Sequence, residues 1–281
     1  MILISVSELA EGLASGRRDL RVLDVRWSLP APDGRESFEA GHIPSAVYVD
    51  LETELSDHSV SGRGRHPLPT GSALQDSLRR WGVNSGDSVV IYDDWNRAGS
   101  ARAWWLLQAA GITDVRILDG GLGAWTAAGQ LLVAGSDIPP TGDVVVAQAD
   151  LYSGSLPTLT AEQVSNFGGI LVDARAPERY RGEVEPVDPV AGHIPGAVNV
   201  PATAALDENG LFRVATQLRS LFAAAGADGS TAVGVYCGSG VTAAVDLVAL
   251  HLAGIEGALF PGSWSQWSSD PNNPVATGSD G

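Results

Sequence analysis

Two short apolar runs of this 281-residue chain, "VVIY" at Val89–Tyr92 and "VGVY" at Val233–Tyr236, have the length and the β-branched content of strands. They are apolar at successive positions rather than at alternate ones. That pattern is typical of strands buried on both faces of a parallel sheet. The runs "VLDVR" at Val22–Arg26 and "LVDAR" at Leu171–Arg175 predict two further strands.

Helical patterns separate these strands. One follows Ser7 in "SELAEGLASG" and another follows Thr160 in "TAEQVSNFGG", and we predict both residues as N-caps. A Glu-Gln pair close behind Thr160 adds a partial capping signal. A third helix is predicted from Val241 onward. Strands that alternate with helices predict an α/β fold, in which a mainly parallel sheet is flanked by helices on both faces.

The whole pattern occurs twice. Four segments reappear in the same order in the second half of the chain, at offsets of 149, 151, 144 and 142 residues. The pairs are Arg21–Arg26 with Ile170–Arg175, Phe38–Leu51 with Pro189–Ala202, the stretch from Asp87 to Gly111 with that from Thr231 to Gly254, and Ile117–Trp125 with Leu259–Trp267. Near-constant offsets indicate a duplicated domain.

We therefore predict two tandem domains, at residues 1–138 and 158–281. The stretch between them, residues 139–157, contains prolines and glycines and few helix signals, so we predict it as the linker. Residues that are kept in both copies are expected to serve the fold. These are the histidines of "GHIP" (His42 and His193), the strand-end pairs (Asp24 with Arg26, and Asp173 with Arg175) and the tryptophans Trp125 and Trp267.

Composition excludes several classes of partner. The chain has 33 acidic and 17 basic side chains, a formal net charge of −16, and no cluster of Lys and Arg, which argues against a nucleic-acid partner. Its one cysteine cannot form an internal disulfide, so an oxidising compartment is not needed. We interpret the first residues, "MILISVSELAEGLASG", as a strand-like turn into a helix rather than a signal peptide, and no apolar run approaches membrane-spanning length. We therefore expect a cytoplasmic protein without a membrane partner.

The single cysteine, Cys237, follows the run "VGVY" directly and precedes the predicted helix. Gly238, Ser239 and Gly240 allow a tight turn there, so backbone N–H groups and the helix N-terminus would face the sulfur and favour the thiolate. We interpret Cys237 as a nucleophile rather than an inert core residue. A tyrosine phosphatase is disfavoured, because the position six residues after the cysteine is Ala243 and not Arg.

The first copy supplies a comparison. Its residue at the position of Cys237 is Asp93, within "VIYDDWNRAG", so the loop is kept there and the thiol is not. We therefore predict that residues 1–138 form a catalytically silent copy. No spacing of Cys and His suggests a metal site, and no metal or organic cofactor is expected.

The duplicated layout of "D-x-R", "GHIPGAVN", the cysteine loop and "GS-x-x-x-W" resembles the rhodanese superfamily of sulfurtransferases in its two-domain form. The loop "CGSGVTA" is similar to that of the 3-mercaptopyruvate sulfurtransferases. The resemblance implies that Cys237 takes sulfur from a small-molecule donor, becomes a persulfide, and passes the outer sulfur to a thiol, thioredoxin or cyanide. 3-Mercaptopyruvate is the donor that this loop favours.

The resemblance also implies which residues form the site. Ser239, His66 and Asp57 match a serine–histidine–aspartate relay that moves the proton of the donor thiol. Arg179 matches the arginine that binds the donor carboxylate. The remaining substrate-binding positions are those of the loop itself: Gly238, Gly240, Val241 and Thr242.

Two alternatives to a mercaptopyruvate enzyme stay open. Asp188 stands where mercaptopyruvate enzymes of this family often have a second arginine, which leaves thiosulfate as a possible donor. Against thiosulfate, Gly238 and Ser239 stand where thiosulfate enzymes usually have a basic pair, which suits a dianion. Arg63 and Arg65 flank His66 and would add positive potential, unless they belong to a solvated loop. The second alternative is a non-catalytic module of the same fold that binds a partner or senses oxidants.

Overall fold

A computed structural model describes residues 2–279 and divides the chain into two compact units. The first unit comprises residues up to 57, residues 68–156 and residues 208–212; the second comprises residues 58–67, residues 157–207 and the chain from 213 onward. Two short segments thus belong to the unit other than the one that surrounds them in the sequence. Residues 58–67 pack within the second unit, and residues 208–212 pack within the first. The domain boundaries at 138 and 158 stay a prediction.

The first unit is built on a parallel sheet. Within residues 2–279 its strands are β1 (Leu3–Ile4), β2 (Leu20–Asp24), β3 (Ala46–Tyr48), β4 (Ser88–Tyr92) and β5 (Val115–Leu118). Its helices are α1 (Val6–Ala14), α2 (Arg35–Ala40), α3 (Leu51–Glu54), α4 (Gly71–Arg80), α5 (Ala98–Ala109) and α6 (Gly121–Ala127), with a 3₁₀ turn at Leu151–Ser153. The strand order is β1-β5-β4-β2-β3, and Val22 pairs with Val90 at its centre.

The second unit repeats this plan. Within the described residues its strands are β6 (Ile170–Asp173), β7 (Val198–Asn199), β8 (Val233–Tyr236) and β9 (Ala258–Leu259). Its helices are α7 (Ala161–Ser165), α8 (Pro177–Tyr180), α9 (Ala215–Ala224), α10 (Ala243–Leu252) and α11 (Ser263–Trp267), with a 3₁₀ turn at Ala202–Ala205. Its strand order β7-β6-β8-β9 matches β3-β2-β4-β5 of the first unit, and all named pairings are parallel.

The predicted α/β class with parallel sheets is confirmed, and so are the four apolar strands. The central strands β4 and β8 are buried at every position, as expected for strands that helices cover on both faces. Trp125 and Trp267 are 2% and 1% exposed, which confirms them as core residues. No helix in the described part of the chain is long and apolar enough to cross a membrane.

One of the two predicted helix caps is wrong. Ser7 lies inside α1, and the N-cap is Ser5, whose hydroxyl accepts the N–H of Glu8 while the Glu8 carboxylate accepts the N–H of Ser5. The Glu three residues later fixes the choice, since it completes a capping box only with Ser5. Thr160 is confirmed as the N-cap of α7, where Gln163 completes the same motif.

The strand-end pairs are confirmed as internal ion pairs. Arg26 donates to Asp24 at 2.9 Å and Arg175 to Asp173 at 2.6 Å, and all four side chains are buried. These pairs lie where β2 and β6 end, so they fix the chain as it leaves the sheet. Each guanidinium also donates to the carbonyl of a glycine just before a "GHIP" histidine, which ties that segment to the strand end.

Candidate active site

Cys237 lies directly after β8, at the carboxyl end of the central strand, where parallel sheets of this type hold their ligands. Its sulfur accepts the backbone N–H of Gly240 at an N–Sγ distance of 3.2 Å. The residue is 2% exposed, so the thiol lies deep in its loop.

The loop around this sulfur requires glycine at position 240. Gly240 has φ +78°, and a Cβ there would lie 2.4 Å from the carbonyl oxygen of Pro261. Two further bonds fix the loop from the α11 side: Trp264 N–H donates to the Cys237 carbonyl at 3.0 Å, and Ser265 N–H to the Gly238 carbonyl at 2.8 Å. The amide that faces the sulfur is therefore held in place by the backbone.

Ser263 is a site residue that sequence reasoning missed. Its hydroxyl accepts the Cys237 N–H at 3.1 Å and donates to the Phe260 carbonyl at 2.9 Å. It is fully buried and has φ +51°, a left-handed conformation that is uncommon for serine. The signal was present in the repeat, because Ser263 aligns with Gly121, which has φ +55°.

Ser239 and His66 form a buried pair two residues from the cysteine. The Ser239 hydroxyl and Nδ1 of His66 are 2.7 Å apart, and the two residues are 5% and 2% exposed. His66 reaches this position because segment 58–67 packs within the second unit. There, Arg65 N–H donates to the Ser265 hydroxyl at 3.0 Å, and the Gln266 side chain donates to the Gly62 carbonyl at 2.8 Å. The arrangement can pass a proton between an imidazole and a hydroxyl beside the sulfur.

Arg179 lies in α8 and is held by two carboxylates. Its Nη2 donates to Glu185 at 2.6 Å and to Asp188 at 3.3 Å, and its Nε donates to Glu185 at 3.3 Å. Burial alone would raise the pKa of Glu185, but the Arg179 guanidinium and the backbone N–H groups of Val187 and Asp188 hold that pKa below its usual value. Glu185 is therefore a fixed anion that orients Arg179.

A second guanidinium lies beside the first. Arg65 Nη1 donates to Asp188 at 2.7 Å, and the same carboxylate accepts from Arg179 through its other oxygen. The Asp188 side chain is 3% exposed. Neither the Arg65 contact nor the role of Glu185 was predicted. The Arg65–Asp188 pairing joins residues 123 positions apart and leaves no local pattern in the sequence.

The other predicted positions have different outcomes. Val241 and Thr242 lie between the loop and α10, and the helix begins at Ala243, with Thr242 as its N-cap, rather than at Val241. The N–H groups of Ala244 and Val245 bond back to Val241 and Thr242 over three residues, which tightens this turn. Asp57 belongs to the first unit, and its part in the site stays a prediction.

In the matching loop of the first unit, the side chains of the loop contact one another. Asp93 follows β4 directly; its carboxylate lies 3.0 Å from Nη2 of Arg97 and accepts both the N–H and the hydroxyl of Ser100, at 2.9 and 2.7 Å. Arg97 is 3% exposed and packs against Gly121. A Cβ on Gly121 would lie 1.8 Å from Nη1 of Arg97. This loop has an anion and a cation of its own and no thiol.

Below the cysteine loop, α10 contains a buried carboxyl, Asp246. Both carboxyl oxygens are buried and have no hydrogen-bond partner among residues 2–279. Burial raises the pKa of Asp246 well above its usual value, and the charge of Asp173 adds to this. Burial therefore favours the neutral, protonated form of this carboxyl in the folded protein. No group of three or more His, Cys, Asp or Glu residues in the described part of the chain could hold a metal ion.

Comparison with known proteins agrees with this geometry. A family model described as the rhodanese-like domain matches residues 5–128 and 157–270. A relative from Mycobacterium tuberculosis, named putative thiosulfate sulfurtransferase SseB, is 55% identical over 99% of this chain and 97% of its own. A probable 3-mercaptopyruvate sulfurtransferase from Pseudomonas aeruginosa is 45% identical over 98% of each chain.

A solved structure shares the whole architecture. The crystal structure of SseA, a 3-mercaptopyruvate sulfotransferase from Escherichia coli, superposes with a TM-score of 0.81 at 32% identity. The match covers 94% of this chain and 98% of that one. The two sequence relatives named above thus carry different donor names on one architecture.

Proposed function

The chain belongs to the rhodanese family of sulfurtransferases, and we propose that it takes sulfur from 3-mercaptopyruvate and carries it on Cys237 as a persulfide. The family, the fold class and the sulfurtransferase activity predicted from the sequence are confirmed, with a small-molecule sulfur donor and a sulfur acceptor. The identity of the donor, the identity of the acceptor and the roles of the individual residues are what the proposal adds.

One observation carries the proposal. The Gly240 N–H points at the Cys237 sulfur, in a loop that backbone bonds and Ser263 hold in place. A fixed N–H donor stabilises a thiolate, and it also stabilises the negative charge of a persulfide. A sulfur carrier needs both, because the charge is on the inner sulfur before loading and on the outer sulfur afterwards.

The chemistry with mercaptopyruvate needs a proton carrier. The Cys237 thiolate attacks the donor sulfur, the carbon–sulfur bond breaks, and its electron pair leaves on the methylene carbon as an enolate. The donor thiol proton must then reach that carbon, which gives pyruvate and leaves the persulfide anion on Cys237. We assign the transfer of this proton to the Ser239–His66 pair, with its 2.7 Å contact, two residues along the loop from Cys237.

The second half-reaction regenerates the thiolate. A thiol, thioredoxin or cyanide attacks the outer sulfur, the sulfur–sulfur bond breaks, and its electron pair returns to Cys237. Because Cys237 is 2% exposed, the outer sulfur of the persulfide is more accessible than the inner one. Attack by an acceptor is thereby directed to the atom that is to be transferred.

The proposal is tested by mass and by turnover. We expect the intact mass of the protein to increase by one sulfur atom after treatment with mercaptopyruvate, and to return to its initial value after a dithiol is added. Cys237→Ser is the matched control and should gain nothing. Absence of the added sulfur in the native protein would contradict the proposal and favour a non-catalytic binding or redox-sensing module.

Thiosulfate is the second candidate donor. It is supported by the name of the Mycobacterium tuberculosis relative. Thiosulfate carries no proton on its outer sulfur and has no use for the Ser239–His66 pair. We therefore expect mercaptopyruvate to give the larger kcat/KM when both donors are compared on one preparation; the opposite ratio would assign thiosulfate.

A further inference from the structure

We propose that Arg65 is the second arm of a two-arginine clamp that binds the carboxylate of the donor beside the cysteine loop. The inference rests on the proposed function, and it adds a specificity-determining residue to that site. Its two arms are Nη2 of Arg65 and Nη1 of Arg179.

The hydrogen bonds of the two guanidiniums show which atoms are available. Arg65 uses Nη1 for Asp188, and Arg179 uses Nε and Nη2 for Glu185 and Asp188. Within residues 2–279, no hydrogen bond engages Nη2 of Arg65 or Nη1 of Arg179. Nε of Arg65 is buried and also has no partner in that part of the chain. Arginine nitrogens in this situation bind an anion when one is present.

The two available arms lie at the same place on the cysteine loop. A Cβ built on Gly238 would be 3.3 Å from Nη2 of Arg65 and 3.5 Å from Nη1 of Arg179. Gly238 is the residue next to Cys237, so both arms flank the surface on which a donor must lie to bring its sulfur to the thiol. The absence of a side chain at Gly238 keeps this surface open.

The charges around the clamp suit a monoanion. Glu185 and Asp188 together balance the two guanidiniums, so the cluster has no net charge before a ligand binds. Two N–H arms from different residues match the two oxygens of one carboxylate. A dianion such as thiosulfate would gain more from a site with excess positive charge. The clamp therefore favours a donor with a single carboxylate.

Asp188 acts as a positioning residue for both arms. Its two oxygens bond to the two arginines separately, at 2.7 and 3.3 Å, and its side chain is 3% exposed. This fixes the spacing of the guanidiniums and directs their remaining N–H groups away from the carboxylate. Arg65 thus brings a second cation to the side of Arg179 from another segment of the chain.

The test measures binding of the carboxylate separately from the rate of sulfur transfer. We expect Arg65→Ala to weaken the binding of pyruvate, measured by calorimetry on the whole protein, by about ten- to a hundredfold, the range for a lost hydrogen bond between charged groups. KM for mercaptopyruvate should rise by a similar factor with little change in kcat. Arg65→Lys keeps the charge but not the planar fork, and should give an intermediate value.

Two controls make the result decisive. Arg63→Ala removes an exposed arginine two positions away on the same segment and should change neither constant. Mercaptoacetone, a donor without a carboxylate, should give the same KM with the native protein and with Arg65→Ala. Unchanged pyruvate binding in Arg65→Ala, or an equal rise in KM for both donors, would overturn the clamp. The proposed function is judged separately, by the persulfide mass of the native protein.

Discussion

The loops after β4 and β8 share a backbone plan but differ in the side chain that follows the strand. In each unit a buried tyrosine ends the strand, Asp93 or Cys237 comes next, and a left-handed residue follows three positions later: Asn96 at φ +39° in one, Gly240 at φ +78° in the other. The first loop holds the Asp93 carboxylate. The second holds the Cys237 sulfur.

The difference lies in what closes each loop. In the first unit Arg97 pairs with Asp93 and lies against Gly121, so the Asp93 carboxylate has a cation from its own loop. In the second unit the position of Arg97 is taken by Val241, and the arginines lie beside the loop with two arms available. We therefore expect the first loop, which supplies its own cation, to be silent, and the second, which leaves that cation for a ligand, to be the reactive one.

The largest expected effect comes from removing the sulfur. Cys237→Ser keeps the size and the polarity of the side chain but has no nucleophilic thiolate, so it should abolish sulfur transfer and make this loop as silent as the first. Turnover is measured as pyruvate release in the presence of a dithiol. The thermal unfolding midpoint should stay close to that of the native protein, and residual transfer would disprove the role of Cys237.

Removal of the proton carrier should have a smaller effect that depends on the donor. His66→Ala is expected to lower kcat with mercaptopyruvate by about a hundred- to ten-thousandfold, the usual contribution of general acid–base catalysis. Turnover with thiosulfate should change little, since that donor has no thiol proton to move. Ser239→Ala should show the same dependence on the donor; equal losses with both donors would indicate a structural role instead.

A third prediction concerns the Asp93–Arg97 ion pair of the first loop. Arg97→Ala leaves the Asp93 carboxylate buried without its cation, and burial already raises the pKa of Asp93 although Arg97 and Ser100 partly oppose that shift. Loss of one partner of a buried pair should lower the free energy of unfolding by roughly 3 kcal/mol, measured by urea denaturation. The double variant Arg97→Ala/Asp93→Ala should recover part of this. Persulfide formation on Cys237 should persist in both.

The smallest effect concerns the helices that follow the two loops. Asp246 in α10 aligns with Arg102 in α5, which is equally buried but donates to the Leu55 carbonyl. The pKa of Asp246 is higher in the folded than in the unfolded protein. The contribution of Asp246 to folding stability is therefore fully present below its unfolded pKa and is lost as pH rises through its folded pKa. Asp246→Asn should therefore raise the free energy of unfolding at neutral pH, by about 1–3 kcal/mol.

The difference between Asp246→Asn and the native protein should widen with pH. Urea denaturation between about pH 6 and pH 9 measures this trend. Glu256→Gln, which neutralises an exposed acid in the same unit, is the control and should change stability by less than about 0.5 kcal/mol. A difference that is independent of pH would show that Asp246 does not titrate in this way.

Sequence reasoning was most successful where a feature depends on neighbours along the chain. Apolar runs at successive positions located β4 and β8, and the constant offsets located the second copy, because burial and duplication both leave local patterns. The N-cap at Ser7 failed on a local detail: two serines compete there, and only Ser5 has a glutamate three residues ahead to complete the capping box. Thr160 had no such competitor.

The site was predictable only in part. The cysteine loop follows from a strand, a turn and a helix, and these are readable in one short segment. The contact of Arg65 with Asp188 is different, since it joins residues 123 positions apart and depends on how segment 58–67 folds back on the second unit. Side-chain pairings of this kind follow from tertiary packing and leave no periodicity to recognise.

Ser263 has a consequence for every cycle of sulfur loading. A serine in the left-handed region is strained by about 1 kcal/mol, whereas the first unit has the unstrained Gly121 at the same position. In exchange, its hydroxyl holds the Cys237 N–H, and the loop is ordered before any donor arrives. Because of this pre-organisation, we expect that the backbone of the loop need not rearrange as the thiolate and the persulfide interconvert. The entropy cost of ordering the loop is then met on folding and not in each reaction cycle.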